Sequence, residues 1–222
     1  MTVIDYDRKF FFVKTIKTGS TSFEQWLLSD ELSEHTLEAA PEVHSSHLYY
    51  SGRSLSRGRQ SLLRSHATLN EIQSFIGERA MDFVGVTIVR HPLDKVVSLF
   101  WFELREINFL RDWLTKAPFP VVRASFAVWA NFRKLKHISD YRRLDVGKGG
   151  GIQLIIRYEH LQHDLRKMVS EDVFGHLDPD HFPSLKTGFR RRKEPWKLYY
   201  TKKLLTRMRQ IFEKDLAYFG YE

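Results

Sequence analysis

Phe83-Val84-Gly85-Val86-Thr87-Ile88-Val89, then Arg90-His91-Pro92, then Leu93-Asp94-Lys95-Val96-Val97-Ser98-Leu99-Phe100-Trp101, is the stretch whose reading decides the fold. The uncharged run from Phe83 to Val89, rich in β-branched residues, fits a strand buried on both faces, as parallel strands are. Pro92 suits the first turn of a helix, where its missing N–H costs nothing. That helix is predicted over Leu93 to Glu106, with Val96, Val97, Phe100, Trp101 and Leu104 on one face.

Working outward, the same grammar recurs on both sides. Phe10-Phe11-Phe12-Val13 is a short apolar run that breaks into Lys14-Thr15-Ile16-Lys17-Thr18-Gly19-Ser20. From Thr21 to Leu28 the spacing of Phe23, Trp26 and Leu27 predicts a helix. Thr68 with Glu71 forms a capping box ahead of a helix from Leu69 to Ile76. Ile152 to Arg157 reads as a third buried strand, followed by a helix from Leu161 to Val169. A further helix is placed around Ala124 to Lys136, a turn at Gly147 to Gly151, and a basic amphipathic helix from Trp196 to Phe212. Residues 30–65 read as polar and irregular. Strands alternating with helices predict an α/β fold: a single domain over residues 1–222 with a central parallel sheet flanked by helices. Ligands in such folds bind at the carboxyl ends of the strands, where Lys17 and Arg90 both fall.

Composition narrows the function. The chain has 222 residues, 42% of them hydrophobic and 14% aromatic, enough for a sizeable core. The absence of cysteine excludes a disulfide framework, a thiolate metal site and a cysteine nucleophile. No run approaches the ~18 apolar residues of a membrane span. The N-terminus lacks the regions of a signal peptide, so a cytoplasmic protein is expected. A net charge of +8 serves solubility or an anionic partner, and nucleic acid, an acidic glycan or a polyphosphorylated nucleotide would each suit it.

Two constellations point to the nucleotide. Lys17-Thr18-Gly19-Ser20-Thr21-Ser22 brings a cation, a glycine and hydroxyls to the start of a helix, where backbone N–H groups bind phosphate. The Walker A pattern is absent, because no glycine precedes Lys17. Taken alone, a capped helix beside a solvated lysine explains the turn as well. Arg90, ending a buried strand, can hold a phosphate bidentately, and Ser98 on the following helix can reach the same anion.

Together, FFVKTIKTGSTSF and VTIVRHPLDKVVSLFWF resemble the 5′-phosphosulfate loop and the 3′-phosphate motif of the sulfotransferase superfamily that uses 3′-phosphoadenosine 5′-phosphosulfate. The likeness is greater to the carbohydrate-type branch and its bacterial relatives. Its further marks are SHATLNEIQSFIGERAMDF before the strand, Arg157-Tyr158-Glu159-His160-Leu161 after the third strand, and the tail RRRKEPWKLYYTKKLLTRMRQIFEKDLAYFGYE. The chain departs from the pattern in two places: Ile16 stands where a proline is usual, and Ser184-Leu185-Lys186-Thr187-Gly188 replaces a segment with an asparagine and a serine.

The resemblance implies a P-loop-like turn in which Lys17 and the N–H groups of Thr18, Gly19, Ser20, Thr21 and Ser22 hold the 5′-phosphosulfate. It implies Arg90 and Ser98 on the 3′-phosphate, with Arg191 as the tail arginine that joins them, although Arg190 and Arg192 compete for that role. It also implies sulfuryl transfer to a hydroxyl of a carbohydrate or other small alcohol, release of adenosine 3′,5′-bisphosphate, and no metal. A neutral histidine is the natural base at pH 7. His66 matches the family's histidine, with His44 and His47 next in line. His91 reads as structural, and the spacing of His160 and His163 is poor for a metal. Trp196, Tyr199 and Tyr200 read as core anchors. The expected partners are the nucleotide donor and the acceptor, with no nucleic acid and no integral membrane segment. A nucleotide kinase-like phosphotransferase and a non-catalytic polyanion-binding module are the alternatives from other classes.

Overall fold

The computed structural model describes residues 2–29, 43–44, 48–50, 63, 66–146, 151–170, 174–183, 188 and 190–222, with backbone alone for 43–44 and 48–50. The chain divides into two compact units, Met1–Val89 with Arg142–Leu185, and Arg90–Tyr141 with Lys186–Glu222.

The first unit holds one six-stranded sheet. Its strands are β1 (Val3–Asp5), β2 (Phe10–Val13), β3 (Val43–His44), β4 (Leu48–Tyr50), β5 (Val84–Val89) and β6 (Ile152–Arg157). Their order is β3-β4-β1-β2-β5-β6. β2, β5 and β6 run parallel, whereas β1 pairs antiparallel with both β2 and β4, and β3 pairs antiparallel with β4. The α/β class is as expected, but the sheet is mixed rather than parallel throughout. β6 also differs from its reading: it is the edge strand, with Gln153 and Ile155 exposed and only Ile156 buried.

All four residues of β2 are buried, so both faces of that strand are covered. Phe10, Phe12, Val86, Ile88 and Ile156 pack with Phe23, Trp26 and Leu27 of helix α1 (Ser20–Leu27). Leu165 and Met168 of α7 (Leu161–Val169) close the same core. The capping box at Thr68 forms as predicted, opening α2 (Leu69–Ile76): the Thr68 hydroxyl accepts from Glu71 N at 3.3 Å while the Glu71 carboxylate accepts from Thr68 N at 2.8 Å.

The second unit is helical. It contains α3 (Pro92–Glu103), α4 (Asn108–Lys116), α5 (Phe119–Phe132), the start of α6 (Asp140–Arg143), α8 (Lys202–Ile211) and α9 (Glu213–Phe219). Phe126 is the hub of its core, edge-on to Phe100, Tyr199 and Tyr200. The Trp101 indole donates to the Tyr199 hydroxyl at 3.1 Å, and the Tyr200 hydroxyl donates to Leu93 O at 2.7 Å. The two tyrosines are core anchors. Trp196 to Phe212 is not one helix: a 3-10 turn over Trp196–Tyr199 ends at Tyr200, and the Thr201 hydroxyl then caps α8 by accepting from Leu204 N at 3.2 Å. Among the described residues no helix is long and apolar enough to cross a membrane.

Candidate functional site

β2 and β5 pair in parallel, with Val13 opposite Thr87, and the Thr87 hydroxyl donates to Val13 O at 2.9 Å. The turn that follows β2 is therefore anchored to the sheet at its root. Thr15 ties it further: its hydroxyl donates to Ile88 O and shares a 2.7 Å bond with the Thr18 hydroxyl. Ser20 Oγ donates back to Thr15 O at 2.9 Å. Thr18 and Ser20 thus spend their hydroxyls inside the turn. Ser22 is buried, and its N–H bonds to Gly19 O at 2.9 Å.

Two residues of the turn lie in the left-handed region. Gly19 has φ +79 and is the N-cap of α1, with no side chain capping the helix. A Cβ there would also lie 3.2 Å from the Tyr158 ring. Lys17 has φ +61, which for a residue with a Cβ costs about 1 kcal/mol or more and is held only where the surroundings demand it. Lys17 is half-buried.

Lys14 is a functional candidate that sequence reading passed over. Only 4% of its side chain is exposed, and it forms a buried ion pair with Glu24. Its ammonium also donates to Thr21 Oγ1 at 3.4 Å. No local signal marks this pair, because the partners lie ten residues apart on a strand end and a helix. Lys14 also touches His66: its carbonyl oxygen lies 3.5 Å from His66 Nδ1, and a proton on Nδ1 would leave the lone pair on Nε2. Arg143 donates to the His66 carbonyl oxygen. Burial first, then the positive charges of Lys14 and Arg143, lower the His66 pKa from 6.5 to about 3. The imidazole is neutral at pH 7.

The shielded ring links stability to pH. Between pH 6.5 and about 3 the unfolded chain takes up a proton that folded His66 refuses, so stability falls with pH across that window. The loss should reach a few kcal/mol, at about 1.4 kcal/mol for each tenfold difference in proton affinity between the folded and unfolded chain. Urea denaturation at a series of pH values should show His66→Gln losing less stability than wild type between pH 6.5 and 3. Parallel curves for the two proteins would show that the ring is not shielded as described.

Arg90 and Ser98 belong to the second unit. Arg90 is the residue after β5, and Ser98 is half-buried on α3. The Arg90 guanidinium grips Asp94, with Nε at 2.9 Å and Nη2 at 2.6 Å from Oδ2. Arg190 reaches the other oxygen of the same carboxylate at 2.7 Å. One carboxylate between two guanidiniums leaves net positive charge, and Arg190 Nε is buried without a hydrogen-bond partner among the described residues. Asp94 stands four residues beyond Arg90 on a helix start, so this pair was legible as an i, i+4 contact. Arg191 is exposed, whereas Arg192 is fixed on Glu194 and on the carbonyl oxygen of Ala117 at 2.7 Å.

His91 is structural. Its ring caps α3 by accepting from Leu93 N at 3.2 Å, contacts Glu222 O at 3.0 Å and lies 4.2 Å from the Trp196 ring. Among the described residues no group of three His, Cys, Asp or Glu could hold a metal ion. His47, the His44 side chain and residues 184–187 lie outside the described residues.

No family model, curated protein or solved structure matches the chain.

Proposed function

We propose that the chain is a sulfotransferase, moving the sulfuryl group of 3′-phosphoadenosine 5′-phosphosulfate to a hydroxyl of a carbohydrate or other small alcohol. The observation that carries this reading is the turn after β2. A lysine held at φ +61 and a glycine at φ +79 precede an uncapped helix, with the hydroxyls of Thr15, Thr18 and Ser20 turned inward to fix the main chain. Backbone strain stored at the start of a helix is characteristic of anion cradles. The P-loop-like role of this turn is part of the same proposal.

In the reaction the acceptor oxygen attacks sulfur, and the bond from sulfur to the bridging oxygen breaks. The electron pair leaves on adenosine 3′,5′-bisphosphate. Lys17, with the N–H groups of residues 18–21, stabilises the charge gathering on that oxygen, the Ser22 N–H being already bonded to Gly19 O. The acceptor proton passes to His66 Nε2. A pKa of about 3 makes the unliganded imidazole a weak base. A polyanionic donor would offset the charges of Lys14 and Arg143 and raise it in part, while the larger effect of burial stays. The same reading assigns the 3′-phosphate to Arg90 and Ser98, with Arg190, rather than exposed Arg191, as the tail cation.

The test is transfer of label from sulfur-labelled donor across a panel of sugars and simple alcohols. Lys17→Ala should slow transfer about 100-fold, the effect of losing one oxyanion donor, roughly 3 kcal/mol. Transfer within a few-fold of wild type would remove Lys17 from the chemistry. A panel without any labelled product would remove the reaction.

A further inference from the structure

Helix α5 carries two apolar faces. Val122, Phe126 and Ala130 are buried in the second unit, as one face of an amphipathic helix should be. The opposite side ought to be polar, yet it is not. Val121, Val128 and Phe132 are all exposed, Phe132 to 85%, and lie within roughly 20° of one line along the helix. Ala124 is exposed beside them, and Arg123 is the one charged residue within α5. The preceding α4 adds Phe109, 78% exposed, and Trp113, one turn apart on its own outer face. Scattered single apolar residues need no explanation, but a stripe on two consecutive helices does.

The charge around the stripe selects its occupant. No acidic residue occurs from Trp113 to Ser139, while Lys116, Arg123, Arg133, Lys134 and Lys136 do. Arg133 is taken up by Glu103, with Nε at 2.9 Å from Oε2. Lys116, Lys134 and Lys136, which flank α5 in sequence, are all exposed, whereas Arg123 lies on the far side of the helix from the stripe. An apolar stripe flanked at both ends of its helix by exposed lysines suits the headgroup region of an anionic bilayer. A second copy of the chain fits poorly, because a symmetric contact through this face would bring two acid-free basic segments together. Nucleic acid would use the cations and leave the stripe in water.

We infer that α5, with α4, is a docking surface for anionic lipid bilayers, the exposed Val121–Val128–Phe132 stripe entering the interface and the lysines meeting the headgroups. The helix lies on the membrane and does not span it. Flotation of the full chain with phosphatidylcholine vesicles, and with vesicles that also contain phosphatidylserine, tests this. Wild type should float with the serine-containing vesicles and little with the neutral ones. The double variant Val128→Ser with Phe132→Ser should lose at least about tenfold in partitioning while keeping its melting temperature, since both side chains are exposed. Lys134→Glu with Lys136→Glu should lose the preference for anionic vesicles. Three results would overturn the inference: wild type that stays at the bottom of the gradient, a serine variant that floats as wild type does, or a solution dimer that the serine variant dissolves.

Discussion

Lys95→Met is expected to destabilise the protein by roughly 3–5 kcal/mol, the penalty for leaving one member of a buried ion pair alone. Lys95 sits on α3 with 1% of its side chain exposed. Its ammonium donates to Asp140 Oδ1 and to Ile138 O, each at 2.6 Å. Asp140 belongs to a larger network: its own N–H donates to Asp215 Oδ1 at 2.7 Å, and Ser139 Oγ donates to Asp215 Oδ2 at 2.6 Å. Methionine keeps most of the aliphatic stem, so packing changes little. What changes is that the Asp140 carboxylate loses its counter-charge in a place water cannot reach. For a chain of this size the melting temperature should fall on the order of 10 °C. Adding Asp140→Asn should restore part of the loss, because the orphaned charge is then gone. A Lys95→Met protein within about 1 kcal/mol of wild type would mean the pair is solvated.

The second large effect is steric. A Cβ at Gly85 would stand 2.2 Å from Gly151 O and 2.8 Å from Cζ of Phe11. The first of these is a backbone oxygen flanking β6, and it cannot retreat without giving up the pairing of Gly85 with Ile152. Gly85→Ala should therefore cost about 3 kcal/mol or more, the upper end of overpacking penalties. It should also expose the edge of β5, with loss of soluble yield. Gly151→Ala is the control, since its Cβ would meet only the side-chain nitrogens of Gln73 at 3.4 Å and Gln153 at 3.6 Å. Denaturation midpoints for the two variants should differ clearly, with the control near wild type. Equal midpoints would show that β6 yields easily at this point.

Gly85 also shows where sequence reading stops. Its run was legible as a strand because every residue from Val84 to Val89 is apolar or β-branched, and burial on two faces leaves that signature. Nothing in the run reveals that Gly85 is needed for the approach of another strand. The capping box at Thr68 was legible because all its partners lie within four residues. β1, β3 and β4 were not, being two or three residues long, too short to show an alternating pattern, and β1 and β4 pair across more than forty residues of sequence. α5 begins five residues before its expected start, because a helix apolar on two sides blurs the period that would mark it. The turn after β2 was legible in outline, through Lys17 and Gly19. The ion pair of Lys14 with Glu24, and the bond from Arg143 to the His66 carbonyl, were not, since partners brought together by folding carry no spacing rule.

The donor assignment is tested most directly by ligand-induced thermal stabilisation. Adenosine 3′,5′-bisphosphate at about 100 times its Kd should add roughly 2.7 kcal/mol of stability to the wild-type chain. Lys17→Ala should lose most of that gain. Arg90→Ala should lose the advantage of the 3′,5′-bisphosphate over adenosine 5′-monophosphate. Stabilisation by ATP or by an oligonucleotide equal to that by the bisphosphate, or unaltered in both variants, would contradict the account.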